Sequence, residues 1–180
     1  QANELSDRTI GSIFIGGGTP SLFEGQWIAQ LLDGIRGQLK IADDAEITLE
    51  TNPGSAERER FAAYRAAGVN RLSIGVQTFQ DALLQALGRI HHGDDARHAL
   101  DMASHAGFDR WNIDLMHGLP GQTAELAQAD LEDAIALSAG HISWYQLTIE
   151  RNTRFWSIPP TLPNDDTLER IQEVGEAVLQ

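Results

Sequence analysis

The chain has 180 residues, enough for one sizeable core at roughly 150 residues per domain, which disfavours repeat arrays and multi-domain readings. Thirteen Lys and Arg against twenty-six Asp and Glu leave a formal net charge of −13, an acidity that repels a phosphate backbone and argues against nucleic acid as a partner. There is no cysteine, which excludes disulfides, a thiol nucleophile, zinc–thiolate sites and protein-ligated iron–sulfur clusters within these residues.

The polar start Gln1–Arg8 has no signal-peptide apolar segment, and no apolar run approaches the ~20 residues of a membrane-spanning helix, so a cytoplasmic protein is expected. Ser12–Ile15 reads as a short strand and runs into Gly16-Gly17-Gly18-Thr19-Pro20-Ser21. Trp27–Leu39 follows with apolar residues at 27, 28, 31, 32, 35 and 39, a helical spacing. The strand Ile47–Glu50 leads to Thr51-Asn52-Pro53-Gly54, and the helix Ala56–Ala67 is closed by Gly68. A third strand, Arg71–Val76, ends on Gln77-Thr78-Phe79. The bipartite helical stretch Asp81–Leu87 and Asp94–Ala106 stops at Gly107, again a residue suited to a left-handed helix end. The strand Asn112–Met116 contains Asp114 and enters Gly118-Leu119-Pro120-Gly121-Gln122-Thr123. Helix Ala124–Leu137 and strand Ile142–Ile149 come next, the strand carrying Gln146 and Thr148 into Glu150-Arg151-Asn152-Thr153. The helix-like run Asp165–Leu179 ends with the chain, and the first residue is not Met, so an excerpt from a longer protein is expected.

Strands alternating with helices imply an α/β fold with a parallel sheet, either open and doubly wound or closed into a barrel; periodicity does not choose between them. Both architectures put the ligand site at the carboxyl ends of the strands, and there five polar or glycine-rich segments converge. Three successive glycines let a backbone approach a ligand and present bare N–H groups, although a tight turn without a ligand uses the same run. Ser21 stands where a dinucleotide fingerprint needs its third glycine, and no GK[ST] follows, so NAD and NTP readings are weak. Glu50 and Asp114 suit ribose hydroxyls or an amino group, or else an ion pair with Arg71 or Arg89. His91, His92, Asp94 and His98 are close enough to raise a metal site, but a solvated helix start with Asp94 or Asp95 as its cap is the ordinary explanation. His117 reads as a packed loop histidine, and Trp144-Tyr145 and Phe155-Trp156 as core and rim packing. No GxSxG elbow or triad spacing supports nucleophilic hydrolysis.

Six stretches together resemble one family, the radical S-adenosylmethionine (SAM) proteins of the oxygen-independent coproporphyrinogen III oxidase group. They are Ile13–Ser21, Glu50–Gly54, Asn70–Gln77, Leu87–His91, Asn112–Pro120 and Trp144–Glu150, in the family's order and over almost the whole chain. Gly88-Arg89-Ile90-His91 and Tyr145-Gln146-Leu147-Thr148-Ile149-Glu150 are similar to the HemW-type branch of haem chaperones, and Arg151 departs from that branch's usual proline. The resemblance implies a partial (β/α) barrel, with this chain as the central part of the core domain, supplying strands two to six. It implies SAM contacts from Gly17, Gly18, Thr19 and Glu50. Gln77, Arg89, Asp114 and Thr148 match positions that hold a second SAM in the true oxidase; in a HemW-type chain they are expected to line the cavity. The family's Cys-x-x-x-Cys-x-x-Cys loop, which binds a 4Fe-4S cluster, has no counterpart here, so the excerpt alone is expected to be inert and to need its parent for the cluster. The implied partners are haem or a porphyrin and the respiratory enzymes that receive haem. The alternative is a true oxidase making protoporphyrinogen IX.

Overall fold

A computed structural model describes residues 8–54, 59–137 and 140–180. Five strands, β1 (Thr9–Ile15), β2 (Lys40–Thr51), β3 (Arg71–Gln77), β4 (Trp111–His117) and β5 (His141–Gln146), lie in the order β1-β2-β3-β4-β5. Pairing of β1 with β2 and of β2 with β3 is parallel. The helices are α1 (Gly25–Arg36), α2 (Phe61–Ala67), α3 (Asp81–Leu87), α4 (Gly93–His105), α5 (Ala124–Ala136), α6 (Arg154–Ser157) and α7 (Asp165–Leu179). Of the expected helix Ala56–Ala67, residues 56–58 lie outside the described residues. Gly68 and Gly107 do close their helices, at φ 105° and 83°.

Three of the differences from the sequence expectation have identifiable reasons. β2 begins at Lys40 instead of Ile47, because Lys40 and Ile41 pair with Thr9 and Ile10 before the register jumps to Ser12 opposite Glu46. The polar run Asp43-Asp44-Ala45-Glu46 hides that pairing from any hydrophobicity pattern. β5 stops at Gln146 instead of Ile149, so Thr148 stands in the loop beyond the strand; the last sheet-like bond is Leu147 N–H to the His117 carbonyl at 2.9 Å. α6, a single turn capped by the Thr153 hydroxyl on Trp156 N–H, is too short to show a period.

Two compact units interleave along the chain, Gln1–Gly75 with His98–Asn112, and Val76–Arg97 with Ile113–Gln180. In the first, Ile28 and Leu32 of α1, Phe61 and Tyr64 of α2, Ala99, Leu100 and Ala103 of α4, and Ile47, Leu49, Leu72 and Ile74 of the sheet are all buried and make up its core. Asn70 fixes the register: its side chain accepts from Ile47 N–H and donates to the Ala45 carbonyl, both at 2.8 Å. That register sets Glu50 opposite Ser73, on the face away from Leu49 and Leu72. In the second unit Val76, Leu83, Leu84, Ile113, Leu115, Leu119, Leu131 and Ile171 form the core. Along β4, Ile113, Leu115 and His117 are buried, while Asp114 and Met116 alternate with them and are half-buried on the opposite face.

Candidate functional site

In the first unit the segment after β1 is held open by the chain around it. Gly17 and Gly18 take φ 86° and 55°, and a Cβ on either would meet nothing within 4 Å, so the backbone there faces open space. Gly16 is the reverse case: a Cβ would sit 2.9 Å from both the Glu50 carboxyl carbon and a Phe14 ring carbon, so glycine lets the loop lie against Glu50. Glu50 in turn accepts the Gly17 N–H through Oε2 at 3.0 Å. The far end of the loop is tied to α2: the Tyr64 hydroxyl reaches the Ser21 carbonyl at 2.6 Å, and Arg60 donates to the carbonyls of Ser21 and Leu22. Arg71 pairs with Glu46 at 3.6 Å and donates to the Thr48 hydroxyl, so it does not neutralise Glu50. Of the sequence-derived set Gly17, Gly18, Thr19 and Glu50, the structure thus joins Gly17 directly to Glu50, with Gly18 and Thr19 next along the same loop.

The second unit carries the other set. Gln77, the last residue of β3, has φ 71°, a left-handed conformation rare outside glycine. Its side-chain Oε1 accepts from the Tyr145 hydroxyl at 2.9 Å. The residues after it are fixed by Asp130 of α5, which accepts the Phe79 N–H at 2.8 Å and Gln80 Nε2 at 3.3 Å. Burial pushes the Asp130 carboxyl above its ordinary range, against hydrogen bonds from Thr78, Phe79 and Gln80 that favour the charged form. Arg89 sits in the loop between α3 and α4, whose neighbour His91 is buried with Nε2 3.3 Å from the Val76 carbonyl. Asp114 projects from the half-buried face of β4, and Thr148 donates to Glu150 Oε1 at 3.1 Å. Of this set the structure ties Gln77 to a neighbour, Tyr145, that sequence reasoning assigned to packing. Asp130 was missed too; its signal is an acid on the buried stripe Ala127, Leu131 and Ala134 of an otherwise ordinary amphipathic helix.

The histidines have structural work. His92 pairs with Asp81 at 3.4 Å and its N–H caps α4 by donating to Asp95, while Asp94 pairs with Arg97 at 3.5 Å. Among the described residues no group of three or more His, Cys, Asp or Glu could hold a metal ion. His117 stacks on Trp144, ring centroids 4.1 Å apart, and its Nδ1 is buried without a hydrogen-bond partner. Desolvation lowers the pKa of His117, and of His91, below the ordinary 6.5. Between 6.5 and the lowered values the unfolded chain binds more protons than the folded one, so stability is complete above that window and falls on acidification through it. Thermal unfolding at about pH 7.5 and about pH 5.5 is expected to show the loss, at a limiting slope of about 1.4 kcal/mol per pH unit for each histidine. His117→Phe, which keeps the stack and cannot charge, should flatten the profile; an unchanged slope would show that His117 does not contribute.

Comparison with known proteins shows the family and the fold. Residues 1–134 match the sequence profile described as the Radical SAM superfamily. The chain is 55% identical over 172 residues to "Heme chaperone HemW" of Escherichia coli (strain K12), a match covering 96% of this chain and 46% of that protein. It is 53% identical over 177 residues to "Heme chaperone HemW" of Haemophilus influenzae, covering 98% and 46%. Among solved structures, the coproporphyrinogen III oxidase (HemN) of Escherichia coli, described as a radical SAM enzyme, superimposes with a TM-score of 0.87 at 28% identity, over 99% of this chain and 42% of that one. The chain thus spans a little under half the length of the curated relatives it matches. The likeness to HemN resolves the choice the sequence left open, assigning the β/α units to a partial barrel instead of a doubly wound sheet.

Proposed function

The chain belongs to the radical SAM superfamily, and from that premise we propose that the protein carrying it is a haem chaperone of the HemW type. It binds haem and passes it to respiratory haem enzymes in the cytoplasm, and this chain is the central part of its core domain. The observation that carries the reading is the contrast in identity, 53–55% to proteins named HemW against 28% to HemN, over nearly all of the chain in each case.

The family's cofactors are SAM and a 4Fe-4S cluster. The chain has no cysteine, so none of its residues fits the cluster. SAM does fit: the backbone at Gly17 and Gly18 leaves open space for a ligand to approach, the Glu50 carboxylate beside it, which accepts the Gly17 N–H through Oε2, supplies an anionic acceptor, and Thr19 follows in the same loop. In this reading those four residues hold SAM, which when bound supplies the family's one-electron chemistry. Gln77, Arg89, Asp114 and Thr148 line the ligand side of the second unit.

The test is an anaerobic assay of the natural protein, cluster reconstituted, with coproporphyrinogen III, SAM and a reductant, followed by haem titration of the same sample. Stoichiometric haem binding without carbon dioxide release is the expected result. Vinyl products and carbon dioxide would overturn it in favour of an oxidase, the activity of the protein whose fold is so similar.

A further inference from the structure

Gln77 is set in a way that ordinary strand packing does not require. A non-glycine residue in the left-handed region costs on the order of 1 kcal/mol, and such strain persists only where the surroundings over-determine it. Here they do. Immediately after Gln77, the Asp130 carboxylate takes the Phe79 N–H and the Gln80 side chain, fixing the loop from the helix side. On the strand side, Tyr145 of β5 donates its hydroxyl to Gln77 Oε1. Tyr145 alternates with Trp144, whose ring stacks on the buried His117, so the tyrosine stands on the other face of β5 and remains about two-fifths exposed at 42%.

A carboxamide has one acceptor end and one donor end. With Oε1 engaged by the phenol, the end that Gln77 offers is its amide nitrogen with two N–H donors. We infer that Tyr145 is a positioning residue that turns the Gln77 carboxamide so that its N–H end reads a carboxylate of the bound ligand. The inference rests on the reading above that Gln77 lines a ligand cavity. An ionised carboxylate accepts hydrogen bonds and donates none, which matches that end and mismatches the carbonyl. The chain's net charge of −13 disfavours a carboxylate group at long range whatever charges the rest of the ligand carries, so reading that group falls to donors aimed in advance at short range. Two ligands of the proposed function carry the group: SAM through its amino-acid carboxylate, and haem through its propionates.

The test uses the natural protein purified anaerobically, as wild type, Tyr145→Phe and Gln77→Glu. Each is titrated with SAM and with methylthioadenosine, which lacks the carboxylate, and with haem and its dimethyl ester, whose propionates are blocked. Tyr145→Phe keeps the ring and its packing, and is expected to weaken binding of a carboxylate-bearing ligand about five- to tenfold while leaving its carboxylate-free counterpart and the melting temperature unchanged. Gln77→Glu, which sets two carboxylates against each other, should weaken the same ligand more than about tenfold. A loss confined to the SAM pair identifies the amino-acid carboxylate, and one confined to the haem pair the propionates. Unchanged affinities in Tyr145→Phe, or equal losses for the two members of each pair, would overturn the inference and leave the proposed function standing. A wild-type protein that binds neither SAM nor haem would overturn both.

Discussion

Gly175→Ala is expected to lower the stability of the chain by about 3 kcal/mol, or roughly 6–12 °C in melting temperature. Helix propensity alone predicts the opposite sign, since alanine in the middle of a helix is favoured over glycine by about 1 kcal/mol. Packing decides the matter. Gly175 lies on the buried side of α7, and a Cβ there would overlap Cη2, Cζ3 and Cζ2 on the edge of the six-membered ring of Trp144. That indole is no loose neighbour: it packs, as Val174 does, on the cluster of Ala124, Ala127 and Ile171, and has the His117 imidazole against it. Relieving the overlap means shifting either the ring or the helix, in an interior as dense as an organic crystal. Thermal melts of Gly175→Ala alone and combined with Trp144→Leu give the check. The double variant should recover part of the loss, because the leucine leaves room for the methyl. A single variant as stable as wild type would mean that α7 does not approach Trp144 so closely.

That contact was invisible in the sequence, where Gly175 interrupts a helical run and Trp144 sits in a strand with nothing to connect them. The residues proposed to bind ligands are more conspicuous in the sequence, and for a physical reason. Groups that bind ligands at the carboxyl ends of strands must be glycine or polar where core residues would be apolar, so Gly17, Gly18, Glu50, Gln77 and Asp114 stand out against Ile13, Leu49, Val76 and Leu115. The same contrast fails where the polar residue has a structural task. Asp130 is an acid within a helix rich in acids, and only its burial to 1% reveals that it holds the loop after β3. Tyr145 fails for the converse reason: an aromatic beside a tryptophan reads as core, and its hydroxyl contact with Gln77 spans 68 residues of sequence. Strand length was misjudged where backbone pairing overrides composition, as at Lys40–Glu46, and where pairing ends before the apolar run does, as at Leu147–Ile149.

Glu50→Ala is expected to weaken SAM binding by the natural protein between tenfold and about 150-fold, the equivalent of one or two charge-assisted hydrogen bonds. The carboxylate has two jobs in the proposed site. Through Oε2 it holds the Gly17 N–H at 3.0 Å and so keeps the glycine loop against the end of β2. It also brings negative charge to a place where Arg71, the cation opposite β2 on the neighbouring strand, is already paired with Glu46. The two jobs separate experimentally. Glu50→Gln keeps an acceptor for Gly17 but loses the charge, so an affinity midway between wild type and Glu50→Ala would mean that loop and ligand both draw on this side chain. Equal losses in the two variants would assign the whole effect to charge, with the Gly17 bond contributing nothing to binding. The Gly17 contact is exposed, so neither variant should move the melting temperature by more than a few degrees. Tight SAM binding by Glu50→Ala, measured by calorimetric titration, would remove Glu50 from the site and with it the reason for the close approach of Gly16 to its carboxyl group.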